Sequence, residues 1–167
     1  MTQSVIILNH QQISHKIKRL AWQIYEDNME LETIYVAGID NRGMFLAERI
    51  ADELKAIGMK NIHLINIVID RNNFEPQFFS DVDLSELKNQ SLIIVDDVLN
   101  SGKTLISAFL PLLQRQVGKI RIAVLASRSY RLFPVNADFV GISMATTFQE
   151  HLLFDDSDIN DLKLALN

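Results

Sequence analysis

The apolar residues Ile13, Ile17, Leu20, Ala21, Ile24 and Tyr25 recur at steps of four, three and one, which predicts an amphipathic helix over residues 11–28. Residues 34–39 carry no charged position and read as a short buried strand. After Arg42-Gly43 the helical spacing returns. Leu46, Ala47, Ile50, Ala51 and Leu54 form its apolar stripe, and Gly58 stands where a left-handed helix end favours glycine. Residues 62–69 predict a second strand. The stretch 70–90 is polar, poorly periodic and holds Asn72-Asn73 and Pro76, so it reads as a long irregular segment of the functional or moving kind. Residues 92–95 are an uninterrupted apolar strand ending in Asp96-Asp97. A helix follows over 104–117, with Leu105, Ala108, Phe109, Leu112 and Leu113 on one face and Gly118 closing it. Strands over 120–126 and 139–142 and a short helix over 159–166 complete the pattern.

Continuous apolar strands alternating with amphipathic helices predict an α/β fold with a central, mainly parallel sheet flanked by helices, because such strands have no solvent side to make polar. No Ser-rich or Pro-rich linker and no repeat period divides the chain, so residues 1–167 read as a single domain. Ligands of such sheets bind at the carboxyl ends of the strands. That rule selects three joints: residues 38–43, 70–74 and 96–104.

Composition narrows the chemistry. The 167 residues contain no cysteine, which excludes disulfides, thiolate metal sites and cysteine nucleophiles and suits a reducing cytoplasm. No apolar run approaches the length of a membrane span, and the opening Met-Thr-Gln-Ser lacks the basic lead of a secretory signal, so a cytoplasmic protein without a membrane partner is expected. The net charge of −5 gives no electrostatic support for binding nucleic acid. His10, His63 and His151 lack metal-ligand spacing, Trp22 reads as a core or dimer-interface residue, and Asp155, Asp156, Asp158 and Asp161 read as a helix start and solvated tail.

The joint at 96–104 carries the most chemistry. Two adjacent carboxylates leave a buried strand, and Asn-Ser-Gly-Lys-Thr then opens a helix. Amide groups at a helix start, flanked by the hydroxyls of Ser101 and Thr104, form a pocket for a phosphate, and Gly102 lets the backbone approach it. Asp96 and Asp97 would repel that anion; they suit hydroxyl groups or a divalent cation. A ribose 5-phosphate satisfies both halves. A Walker loop is disfavoured, since it needs glycine five positions before Gly102, where this chain has Asp97.

The run Val95-Asp96-Asp97-Val98-Leu99-Asn100-Ser101-Gly102-Lys103-Thr104 resembles the phosphoribosyl pyrophosphate (PRPP) motif of the type I phosphoribosyltransferases. Across nearly its whole length, through Arg19-Leu20-Ala21, residues 38–43, Asp70-Arg71-Asn72, Arg128 and residues 137–141, the chain is similar to the PyrR family, which combines RNA attenuation with uracil phosphoribosyl transfer. The resemblance implies a small hood built from the two ends of the chain, and transfer of the 5-phosphoribosyl group from PRPP to a nucleobase with release of pyrophosphate, a pyrimidine such as uracil being favoured over a purine. By the same resemblance Asp96, Asp97 and Arg42 are the catalytic set. Asp96 and Asp97 hold the ribose hydroxyls and a magnesium ion. Asn100, Ser101, Gly102, Lys103 and Thr104 wrap the 5-phosphate. Asn41, Arg42, Gly43 and Arg71 hold pyrophosphate, and Leu99, Asn100, Ser127 and Arg128 meet the base. A homodimer or higher homo-oligomer is also implied.

The chain departs from that family where the base and pyrophosphate would lie. Asn100 replaces a tyrosine of the PyrR family and an aspartate of the purine enzymes, and it has no proton to gain near neutral pH. Ser127 replaces a charged residue, Ser129-Tyr130 a Gly-His pair, Asp70 a tyrosine and Trp22 a histidine, and Asp40 puts a negative charge where the family carries lysine. A second reading therefore stands beside the enzyme: a nucleotide-sensing, RNA-binding regulator with little or no catalysis. Its basic surface would be His15, Lys16, Lys18 and Arg19, against the unfavourable net charge.

Overall fold

The structure is a computed structural model and describes residues 4–129, 131–147 and 149–167. Its elements are β1 (Val5–Leu8), α1 (His10–Asn28), β2 (Thr33–Ile39), α2 (Asp40–Ile57), β3 (Asn61–Ile69), β4 (Pro76–Ser80), a 3-10 turn (Leu84–Leu87), β5 (Ser91–Leu99), α3 (Lys103–Gln114), β6 (Lys119–Arg128), β7 (Phe139–Met144), β8 (Leu152–Asp155) and β9 (Lys163–Leu166). The main sheet has six strands in the order β4-β3-β2-β5-β6-β7. All of its pairs are parallel except β3–β4.

Both faces of the central strands are covered, which is why they look apolar throughout. Ile34 and Val36 of β2 and Ile93 and Val95 of β5 face α1 and α2, packing with Ile13, Leu20, Ile24, Leu46 and Ile50. The alternate residues Tyr35, Ala37, Leu92 and Ile94 face Leu105, Ala108 and Leu112 of α3. No described helix is long and apolar enough to cross a membrane.

A second sheet, β1-β9-β8, is antiparallel and joins the two ends of the described chain into a hood. Leu152, Phe154, Leu162 and Leu164 are buried in the α1–α2 core. The helix expected over 159–166 is absent. Leu162, Leu164 and Leu166 repeat every second residue, the period of a strand, and the preceding acids close turns: Asp158 Oδ1 accepts from Asn160 N at 2.9 Å. The segment 70–90 also holds more order than expected. Its turn is followed by edge strand β4, which begins at Pro76, where the missing N–H costs no ladder bond.

Other expectations shift by a few residues. Asn9 caps α1 through a reciprocal pair with Gln12, each backbone N–H meeting the other's side-chain oxygen at 3.0 Å. Helix α3 stops at Gln114, and Leu113 is exposed instead of joining the apolar face. Trp22 is also exposed rather than core, meeting Tyr25 edge to face. Arg19 donates to the carbonyls of Val140 and Gly141 at 2.6 and 2.7 Å, which ties α1 to β7 and withdraws that cation from the basic cluster of the first helix.

Candidate active site

Strand β5 runs past the apolar segment to Leu99, so Asp96 and Asp97 sit inside the pairing with β6 instead of in a loop. Each carboxylate turns back on its own strand: Asp96 Oδ1 accepts from Asp97 N at 2.9 Å, and Asp97 Oδ1 accepts from Val98 N at 2.8 Å. Burial, reinforced by the charges of Asp97 and Asp40, pushes the Asp96 carboxyl well above the usual carboxylate range. A divalent cation or hydroxyl donor would relieve that crowding.

After β5, Gly102 adopts a left-handed φ of 85° and starts α3. Ser101 Oγ accepts from Lys103 N at 3.3 Å, and the Ser101 carbonyl accepts from Leu132 N and Phe133 N at 3.2 and 3.0 Å. The bend is thus braced by the segment after β6, while the first-turn amides of α3 retain the orphan donors that any helix start presents. Lys103 contributes its backbone here; its ammonium lies 3.7 Å from the Phe74 ring centroid.

Asn41, Arg42 and Gly43 form the first turn of α2, not a loop before it. A Cβ on Gly43 would lie 2.6 Å from the Val95 carbonyl oxygen, so only glycine lets this turn rest against the end of β5. Arg42 lies between two acids: Nε is 3.4 Å from Asp156 Oδ1 and Nη1 is 4.0 Å from Asp97 Oδ2. Arg71, in the β3–β4 turn, donates to Asp40 Oδ2 and, at 3.0 Å, to Thr104 Oγ1. Asp40 Oδ1 also accepts from Ile69 N at 2.9 Å.

Two adjoining hollows result. One of about 380 Å³ is lined by Asp40, Asn41, Arg42 and the end of β3; one of about 120 Å³ is lined by Leu99, Asn100, Ser101, Gly102 and Thr104. Arg71, Asp96 and Asp97 are walls of both. A wider hollow beside Asp27 and Lys119 lies at the amino ends of the strands, away from these groups.

The expected base contacts are mostly spoken for. Leu99 is buried in the core on the α3 side, and the buried Ser127 hydroxyl accepts from Arg131 Nη2 at 2.8 Å. Arg128 is also buried; it donates to Thr146 Oγ1 and the Thr147 carbonyl at 2.8 Å each, and to Asn100 Oδ1 at 3.4 Å. Because a guanidinium only donates, the Asn100 oxygen must face Arg128. Tyr130 lies outside the described residues.

Two residues near the site escaped the sequence reading. Asp156 was expected in a solvated tail, and no helix or strand period could aim a turn residue back at α2. Arg131, which also donates to Asn136, belongs to no recognisable pattern.

Residues 4–154 match the family model for the phosphoribosyl transferase domain. The chain belongs to the phosphoribosyl transferase domain family. Among curated relatives it is 29% identical to the Bifunctional protein PyrR of Streptococcus pneumoniae (strain CGSP14), covering 89% of this chain and 88% of that protein. Solved phosphoribosyltransferases share the fold. A hypoxanthine-guanine phosphoribosyltransferase of Bacillus anthracis superposes with a TM-score of 0.71 at 21% identity, covering 86% of this chain and 84% of the other. A hypoxanthine phosphoribosyl transferase of Trypanosoma cruzi gives 0.75 at 16% identity, covering 96% and 90%. Both expectations, the α/β class and the family resemblance, are met.

Proposed function

We propose that this chain transfers the 5-phosphoribosyl group of PRPP to a nucleobase, a pyrimidine such as uracil being favoured over a purine. The observation that carries the reading is the placement of Asp96 and Asp97 on the shared wall of two polar hollows, one beside a helix start and the other beside two arginines. A ribose seated at that wall gives its hydroxyl hydrogens to Asp96 and Asp97. Its 5-phosphate enters the smaller hollow, where the amides of α3 and the hydroxyls of Ser101 and Thr104 receive it. Pyrophosphate lies in the larger hollow against Asn41, Arg42, Gly43 and Arg71.

The donor set suits magnesium. Among the described residues no three acidic or histidine side chains converge on one point, and a magnesium ion needs no such cage, since it binds through one or two carboxylates together with substrate oxygens and water. Asp96 and Asp97 are the carboxylates that would hold it, and it would neutralise charge gathering on the leaving pyrophosphate. The chain's own residues orient the rest. Arg42 and Arg71 stabilise the departing oxygens, Asn100 orients the base without taking its proton, and that proton passes to the leaving pyrophosphate or to water.

The test mixes protein, PRPP and magnesium with uracil, hypoxanthine, guanine, xanthine and adenine and follows pyrophosphate and nucleotide. Turnover with one base supports the enzyme. A second reading, a nucleotide-binding regulator of an RNA leader, is favoured by Asp40 on the wall of the larger hollow, where it engages Arg71 in an ion pair and sets a carboxylate beside the pyrophosphate position. Absent turnover with tight nucleotide binding and salt-dependent RNA binding supports that reading. A homodimer in the cytoplasm belongs to the same proposal.

A further inference from the structure

The acidic segment after β8 is not uniform. Asp155 accepts from Ser157 N at 3.0 Å, Asp158 closes a turn, and Asp161 pairs with Lys163 at 2.6 Å. Asp156 points instead to Arg42, at 3.4 Å from Nε, and is only 27% exposed while the arginine is 49% exposed. The backbone that places it is fixed. Phe154, two residues earlier, is fully buried and its ring lies 6.1 Å from that of Phe45, three residues after Arg42 on α2. Asp155 pairs with Lys163 of β9, which holds the end of β8 in the hood sheet.

We propose that Asp156 is a positioning residue that anchors the Nε edge of Arg42 so that its Nη atoms remain free to meet pyrophosphate. The inference rests on the reading of Arg42 as a pyrophosphate ligand. Asp97, at 4.0 Å from Nη1, competes for the same guanidinium. With Asp156 absent, Asp97 is the remaining acid within 4.0 Å of Arg42 among the described residues, the charge of Asp155 acting from farther away. The arginine then settles on the carboxylate that a ribose hydroxyl needs, and two ligand subsites are weakened by one contact. With Asp156 present, the guanidinium is held from the hood side. Arrival of the ribose at Asp97 then releases only the Nη1 contact, and the anchored arginine offers its free donors to the adjacent phosphoryl oxygens.

The test is calorimetric binding of magnesium pyrophosphate and of magnesium PRPP to the whole protein, which requires no turnover. It uses wild type, Asp156→Asn, Asp156→Glu, Arg42→Ala and the double variant Arg42→Ala/Asp156→Asn, each checked by thermal melting for an intact fold. Asp156→Asn is expected to weaken both ligands about tenfold, Asp156→Glu to recover most of that loss, and the double variant to bind no worse than Arg42→Ala alone. A merely structural role would give neither the rescue nor the coupling. If Arg42→Ala weakens binding but Asp156→Asn does not, or if the two losses multiply in the double variant, the positioning role is overturned while Arg42 keeps its place. If Arg42→Ala leaves pyrophosphate binding unchanged, the reading of the larger hollow fails first and the inference fails with it.

Discussion

Arg71 donates to Thr104 Oγ1 at 3.0 Å, joining the β3–β4 turn to the first turn of α3. The same guanidinium reaches Asp40, so one side chain spans the start of α2 and the start of α3 across the mouth of the site. The turn beneath it is internally bonded: Phe74 N donates to the Asp70 carbonyl at 2.7 Å, and Asn72 N to Asp70 Oδ1 at 2.8 Å. Bridging two oxygens on different elements needs the fork of a guanidinium. Arg71→Gln and Arg71→Lys should therefore both raise the KM for PRPP about tenfold and leave the KM for the base unchanged, measured by steady-state kinetics. A lysine variant with wild-type KM would remove the bridge from the mechanism.

Asp96 links the proposed ribose contact to stability. Its carboxyl is held well above the ordinary carboxylate range by burial, then by Asp97 and Asp40, so the folded state gives up this proton at a higher pH than the unfolded chain does. Stability of the metal-free protein should consequently fall as pH rises from the ordinary carboxylate range through the raised value. Asp96→Asn should flatten that slope and melt higher than wild type at neutral pH, while PRPP binding drops at least about a hundredfold. Thermal melts in chelator across a pH series, beside a PRPP titration, check both halves.

Asp27 has the opposite sign. Burial alone would raise its carboxyl, but hydrogen bonds from Lys119 at 3.0 Å and Arg121 at 3.2 Å outweigh that and lower it. Its stabilisation is complete above the ordinary carboxylate range and disappears as pH falls through the lowered value. Asp27→Asn should lower the midpoint by about 2–4 °C at neutral pH, for a loss of about 1 kcal/mol, and should cost nothing at acid pH. An equal loss at both pH values would show that packing, not charge, is responsible.

Gly43→Ala tests the contact that brings Arg42 to the carboxylates. The added methyl would meet the Val95 carbonyl oxygen at 2.6 Å, so the first turn of α2 must lift from β5. Urea denaturation should show a loss of about 1–3 kcal/mol, with PRPP binding weakened further than that stability loss alone explains. Alanine at this place with unchanged binding would mean that the approach of α2 to β5 does not matter to the ligand.

The sheet was legible because its covered strands have no polar side, and the helices because Ile13, Ile17, Leu20 and Ile24, or Leu105, Ala108 and Leu112, keep the helical period. The hood was legible only through family resemblance. Its strands are four residues long, too short for a period to separate strand from helix, so residues 159–166 read as a helix where the structure has a turn and β9. The diacid and the bend after it stood out because their residue types conflict: acids followed at once by a helix start of the kind that suits an anion. Asp156 carried no such conflict. Its role depends on a long-range contact between Phe154 and Phe45, which no local pattern encodes.

The pairing of β1 with β9 has a consequence for synthesis. Residues 5–8 are made well before their ladder partner, residues 163–166, which leaves the ribosome only after the entire six-stranded sheet. Until then Val5 and Ile6 travel as an open edge without their ladder partner. The nascent protein thus acquires its hood last, by closing one of the longest loops its topology allows. That closure, rather than assembly of the parallel core around it, is the step at which a growing chain is most exposed to mispairing with a neighbour.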